Sequence, residues 1–208
     1  MKRFFDFFSR RQQPSQVVDG AMPAISSTGL RRCNERIRWI ASSFRDIEAF
    51  RLRAAAVADD LGPSSIPDLA SLFHAEHTPP PELASAFAGL GEWITARQFA
   101  IFEVFYHFGD QAIPVLKHVA FGEYDWTQGN AIEILCRLAA DGVRRDEIVD
   151  ALIAHLPDMR EEAHAYALAP LLNQSATNPE LQAVMAKLLT VPEFKSRHDD
   201  LLSARRHG

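Results

Sequence analysis

From residue 30 onward, apolar residues recur at steps of three and four. Cys33, Ile37, Ile40, Phe44 and Ile47 form one such stripe, the spacing that brings side chains to one helical face for burial. The run 30–61 is long, so a break is expected near Ser42-Ser43 or Arg45, and Gly62-Pro63 stops it. The pattern predicts further helical segments over 65–77, 83–109, 111–120, 130–142, 145–157, 160–175 and 178–194, with "TPPPE" at 78–82 as a breaker. Alternation of β-branched residues between hairpin turns is scarce, so an all-α chain is expected. Residues 12–29 are rich in Pro, Ser, Gln and Gly and have no helical period. They read as a linker, giving a flexible segment 1–29 followed by a helical domain 30–208.

Pro114 interrupts an otherwise amphipathic stretch, "GDQAIPVLKHVAFG". The interruption recurs. "VADDLGPSSIPDLASLF" (57–73) aligns with "VFYHFGDQAIPVLKHVA" (104–120), matching Gly62 to Gly109 and Ile66-Pro67 to Ile113-Pro114. A third copy has Gly142 followed by "EIVDALIAHL" without the proline, and a fourth keeps only a helix-turn-helix pattern. Glycine just past a helix end accepts the left-handed conformation found there. Proline in a first turn loses no hydrogen bond, because its missing N–H has no partner there. Each glycine-to-proline interval therefore reads as the joint of a helix pair.

Helix pairs repeating every 35–47 residues or so are the mark of an α-solenoid. "ARQFAIFEVFYHFGDQAIPVLKHVA" (96–120) resembles a bacterial HEAT-type repeat through Arg97, Ala100, Gly109-Asp110 and the Ala-Ile-Pro-x-Leu run. "GPSSIPDLASLF" repeats the second half, with Pro63 in place of the usual aspartate. The resemblance covers residues 45–192 and implies a short right-handed solenoid of about four pairs. It also implies a binding surface on the second helices, where Asp68, Lys117, His118, Asp150 and Lys187 are polar.

Charge then divides the chain. Residues 1–60 hold 11 Lys/Arg against 7 Asp/Glu, and the remainder 11 against 20. An acidic body favours basic partners over phosphates. Arg31, Arg38 and Arg45 lie seven apart on one face and form a basic stripe. Two cysteines, Cys33 and Cys136, are too few for a disulfide framework, so free thiols are expected. "MKRFFDFFSRR" lacks the apolar core of a secretory signal. A cytoplasmic protein without a membrane span is therefore expected.

Chemistry-bearing motifs are sparse. His74 and His77 are three apart without an evident third ligand, and Glu161-x-x-His164 is half of a carboxylate–histidine metal motif. Cys136 sits on an apolar helical face and reads as core. The sequence contains no phosphate-binding glycine loop, GxSxG or HExxH, so nothing recommends an enzyme, a cofactor or a metal. The loop "FGEYDW" (121–126) gathers Phe121, Tyr124 and Trp126 with Glu123 and Asp125. Aromatics of this kind dominate interface hot spots, although Asp125 also suits a helix cap.

The expected contact set is Phe121, Glu123, Tyr124, Asp125, Trp126, Lys117, His118 and Asp150. The expected function is non-catalytic clamping of a basic protein partner, as an immunity protein or an assembly scaffold. The alternative is a HEAT-like DNA-binding enzyme of the DNA glycosylase type. That reading needs a basic track for phosphates, and the candidate second helices carry more carboxylates than cations.

Overall fold

The computed structural model describes residues 27–75, 78–123 and 125–206. Among the described residues the regular elements are all helical, with no strand. In chain order the helices are α1 (Ser27–Ala41), α2 (Ile47–Leu61), α3 (Ile66–Ser71), α4 (Leu90–His107) and α5 (Ile113–Phe121). They continue as α6 (Gln128–Ala140), α7 (Arg145–His155), α8 (Glu161–Ser175), α9 (Pro179–Leu188) and α10 (Pro192–Arg206). Among the described residues no helix is long and apolar enough to cross a membrane. Of the expected flexible segment 1–29, residues 1–26 lie outside the described residues, and helix α1 takes in Ser27, Thr28 and Gly29.

Local chemistry sets the helix ends. The break expected near Ser42 is present, and the hydroxyls of Ser42 and Ser43 donate to the carbonyls of Trp39 and Ile40 (2.8 and 2.7 Å). Asp46 then accepts the Ala49 N–H (3.1 Å) and starts α2. Gly62, Gly109 and Gly142 follow α2, α4 and α6 with φ of 68, 61 and 85°. After α6 the Val143 N–H reaches the Leu138 carbonyl (2.9 Å) and the Gly142 N–H reaches Ala139 (3.1 Å). That is the paired bonding of a left-handed helix terminus. Pro67 and Pro114 are the second residues of α3 and α5, as the repeat predicts. Helix α9 begins the same way, with Pro179 in its first turn and Asn178 accepting the Leu181 N–H (3.0 Å).

Three boundaries differ from the sequence reading. Helix α3 stops at Ser71 rather than running to 77. Beyond it, carbonyls that a longer helix would have used accept from α4 side chains, Gln98 to Phe73 (3.0 Å) and Arg97 to Ala75. Residues 83–86 belong to a 3-10 turn, Pro81–Ala86, and α4 starts only at Leu90. Gly89, with φ of 125°, separates the two, a conformation open to glycine and strained for other residues. Finally, the segment read as 178–194 is two helices, because Pro192 cannot continue α9 and instead opens α10.

The described residues divide into two compact units, one within residues 27–53 and 67–101 and the other within residues 54–66 and 102–206. In the first unit, Trp93, Ala96, Ala41 and Phe87 make an apolar cluster flanked by Phe44 and Leu83. The Phe87 and Trp93 rings meet edge to face with centroids 5.0 Å apart, and Phe44 stacks on Phe99. The second unit packs α5 on α6, α6 on α7, α8 and α9, and α8 on α9 and α10. Its core includes Phe105, Ile113, Leu116, Ile132, Leu135, Leu152, Leu168, Leu171 and Leu188, all essentially buried. Gly129 allows α6 to approach α8 closely, since a Cβ there would lie 2.3 Å from the Cβ of Tyr166.

Polar contacts join the second unit's helices in two rows. In one, Arg137 of α6 clasps Glu103 of α4, and Gln174 of α8 donates to Glu133 of α6. In the other, Lys117 of α5 pairs with Glu147 of α7, while Asp146 and Arg145 of α7 pair with Lys187 and Glu180 of α9. The contacting residues are 34 and 41 apart in the first row. In the second, the Lys117–Glu147 and Arg145–Glu180 pairs are 30 and 35 apart.

Candidate functional site

The loop 121–126 leaves the end of α5 through Gly122, in extended backbone. A Cβ at Gly122 would lie 2.6 Å from the His118 carbonyl oxygen, so the chain can turn this tightly only on glycine. Asp125 accepts the Thr127 N–H on its carboxylate (2.9 Å) and the Gln128 N–H on its carbonyl (3.0 Å). Gln128 in turn donates its side-chain N–H to the Gly122 carbonyl (3.0 Å), tying the two ends of the loop together. Asp125 therefore shapes the entry into α6, the local role open to an aspartate at such a place.

The loop borders an open cleft of about 300 Å³ on the second unit, lined by Phe121, Gln128, His155, Asp158, Met159 and Arg160 among others. The Phe121 ring stacks on the His155 imidazole with centroids 4.1 Å apart and planes within 12°. His155 is held from behind, because its Nδ1 lies 2.8 Å from the Ala151 carbonyl. A carbonyl only accepts, so Nδ1 carries the proton. One wall of the cleft is thus a fixed pair of flat rings, and Asp158 sets an exposed carboxylate beside it.

The eight sequence-derived contact residues fall into three groups. Phe121 lines the cleft, Asp125 and Trp126 are half-buried in the loop, with Asp125 bonded to the start of α6, and Glu123 is exposed. Tyr124 lies outside the described residues. Lys117, His118 and Asp150 are polar positions of α5 and α7, and of these Lys117 is committed to Glu147 at 2.7 Å. That contact holds the Glu147 carboxyl below its ordinary range. Asp150 is exposed on α7. The cleft residues His155, Met159 and Arg160 escaped the sequence reading because they lie more than 30 residues from Phe121 and share no motif with it.

A second constellation, also missed, is buried. Arg137 makes a two-pronged ion pair with Glu103 (2.7 and 2.8 Å) and lies 3.5 Å from Glu133. Gln174 donates to Glu133 (2.7 Å), and the Arg137 guanidinium lies 3.9 Å from the centre of the Tyr106 ring. The Tyr106 hydroxyl donates to Asp141. Burial pushes the Glu133 carboxyl up, against the opposing pull of Arg137 and Gln174. Burial also opposes the charge of Arg137, but Glu103 and Glu133 together raise its affinity for its proton. With its carboxylates directly bonded, the cluster locks α4, α6 and α8 side by side. The local signal was present: Glu133 and Arg137 stand four apart within the apolar run of α6.

The remaining candidates resolve simply. His74 is exposed, and His77 lies outside the described residues. His164 is buried, and Glu161 beside it in the motif is exposed. Among the described residues, no group of three or more His, Cys, Asp or Glu side chains is placed to hold a metal. Both thiols are buried. Burial raises Cys33 to about 11 and pushes Cys136 higher still, so neither is a thiolate nucleophile at neutral pH. In the basic stripe, Arg45 pairs with Glu92 (3.1 Å).

Comparison with known proteins gives no match. No family model, curated protein or solved structure is similar to this chain.

Proposed function

We propose that this chain is a HEAT-like helical-repeat module that binds a basic protein partner and performs no chemistry of its own. The observation that carries the reading is the coincidence of the ring-walled cleft with exposed surface carboxylates. Asp158 lines the cleft, Glu161 follows it at the start of α8, and Asp150 is on α7, whose last residue is His155. All three are exposed. Aromatic rings fixed by their surroundings supply contact area at little entropic cost, and carboxylates near them steer a basic surface into place.

The repeat architecture is supported by the two rows of polar contacts, whose spacings of 30 to 41 residues match one helix pair. Residues 54–66 and 102–208 hold 18 Asp/Glu against 10 Lys/Arg. That sign disfavours the DNA-acting alternative, which requires cations along a phosphate track. An immunity protein and an assembly scaffold share the chemistry of this surface, and the identity of the partner separates them.

The test is affinity capture from the source cells after nuclease treatment, followed by mass spectrometry. A single basic protein retained at 1:1 supports the reading. Loss of all retained material on nuclease treatment would replace it with nucleic-acid binding.

A further inference from the structure

Few groups hold the C-terminal helix. Of the 15 residues of α10, Phe194 is the one that is fully buried. It meets the imidazole of His164 on α8 edge to face, with centroids 5.3 Å apart and planes at 83°. His164 is only 1% exposed. Its Nε2 lies 2.9 Å from the Leu156 carbonyl, in the turn Leu156–Asp158 that also packs on α10. The carbonyl can only accept, so the proton sits on Nε2, and Nδ1 presents a bare lone pair. That Nδ1 is buried and has no hydrogen-bond partner among the described residues. On α10, one turn past Phe194, the Nε of Arg197 is also buried and unpartnered.

The joint between α8, α10 and the turn is therefore built around a neutral histidine with one nitrogen in use. The charged groups facing it are Glu161 on its own helix, and Glu193 and Arg197 on α10. Glu161 and Glu193 are exposed, and neither is hydrogen-bonded to the ring. A proton arriving at Nδ1 would create a buried imidazolium whose Nδ1–H has no acceptor, beside the Arg197 guanidinium and with the facing carboxylates of Glu161 and Glu193 in exposed positions. Burying a charge on those terms is costly, and opening the joint to water relieves the cost.

We infer that His164 is an acid-sensitive latch whose protonation frees α10 from α8 while the remainder of the second unit stays folded. The linkage has a definite sign. Burial, the largest influence on His164, holds its affinity for protons below the ordinary value of 6.5. The joint is thus fully stable above that pH and loses stability as pH falls below it. What α10 covers includes the α8 surface around Ala169, whose carbonyl accepts from Arg205 (3.1 Å).

The experiment is amide hydrogen exchange on the full chain at pH 7.5 and pH 5.0, corrected for intrinsic rates. The amides of α10 should lose protection by about tenfold or more at pH 5.0, while those of α6 keep theirs. His164→Gln can still donate to Leu156 and does not titrate, so it should remove the pH effect. Imidazole NMR of the unsubstituted chain gives a check independent of that variant: the midpoint of α10 opening should coincide with the titration of His164. Equal α10 protection at both pH values, joint loss of α6 and α10, or an unchanged pH response in the variant would each overturn the latch.

Discussion

At Gly129 an added Cβ would lie 2.3 Å from the Tyr166 Cβ and 2.8 Å from the Ala163 carbonyl oxygen, and neither is the far end of a flexible chain. Gly129→Ala should therefore force α6 off α8 and destabilise the fold by about 1–3 kcal/mol, the usual cost of overpacking, as measured by urea unfolding. The Arg137 cluster makes a different demand. Arg137→Met leaves Glu103 and Glu133 buried without their cation and should cost about 3–5 kcal/mol near neutral pH. Glu133 itself titrates high, so its contribution is present in acid and lost as pH rises through its folded value. Glu133→Gln should accordingly gain stability relative to the unsubstituted protein between pH 4.5 and pH 7, in paired denaturation curves at the two pH values. Of the stripe Cys33, Ile37, Ile40, Phe44 and Ile47, the three residues within α1 are buried because local period alone decides them, whereas Ile47, beyond the break that ends α1, is exposed. The partners of Arg137 were not legible. Glu103 is 34 residues away, and a period test sorts residues as apolar or polar without showing which polar ones meet.

Among the elements, the helix joints were the most readable feature. Gly62, Gly109 and Gly142 all adopt positive φ, and Pro67 and Pro114 both open helices, because backbone sterics fix these choices without help from distant residues. Gly109→Ala and Gly142→Ala should each lower stability by about 1–2 kcal/mol, the cost of a left-handed alanine, seen as a drop in Tm. Pro114→Ala should change stability by less than about 1 kcal/mol, since the proline fixes a conformation already compatible with the helix. Helix α10 was invisible past residue 194 for a related reason. Its sequence, "PEFKSRHDDLLSARR", is charged on most faces, and Phe194 is its one fully buried residue. That ring meets His164 of α8, 30 residues earlier, a tertiary contact that no local window of the sequence contains.

For the whole molecule, charge is the property that links structure to partner. The carboxylates used in structure, Glu103, Glu133, Glu147 and Glu180, are all paired with cations or donors. Asp150, Asp158 and Glu161 are exposed instead. Neutralising them should leave the fold intact and slow association with a basic partner, with the effect shrinking as salt is raised. The sequence placed Phe121 and Asp150 in the contact set, yet the cleft depends on α7 returning His155 to Phe121 after more than 30 residues. The most direct test of the binding account compares nuclease-treated captures made with the unsubstituted chain and with the triple variant Asp150→Asn, Asp158→Asn, Glu161→Gln. The account predicts one basic protein retained at 1:1 by the first and reduced about tenfold or more by the second, with equal Tm. Equal retention by both chains, or retention of nucleic acid alone when nuclease is omitted, would contradict it.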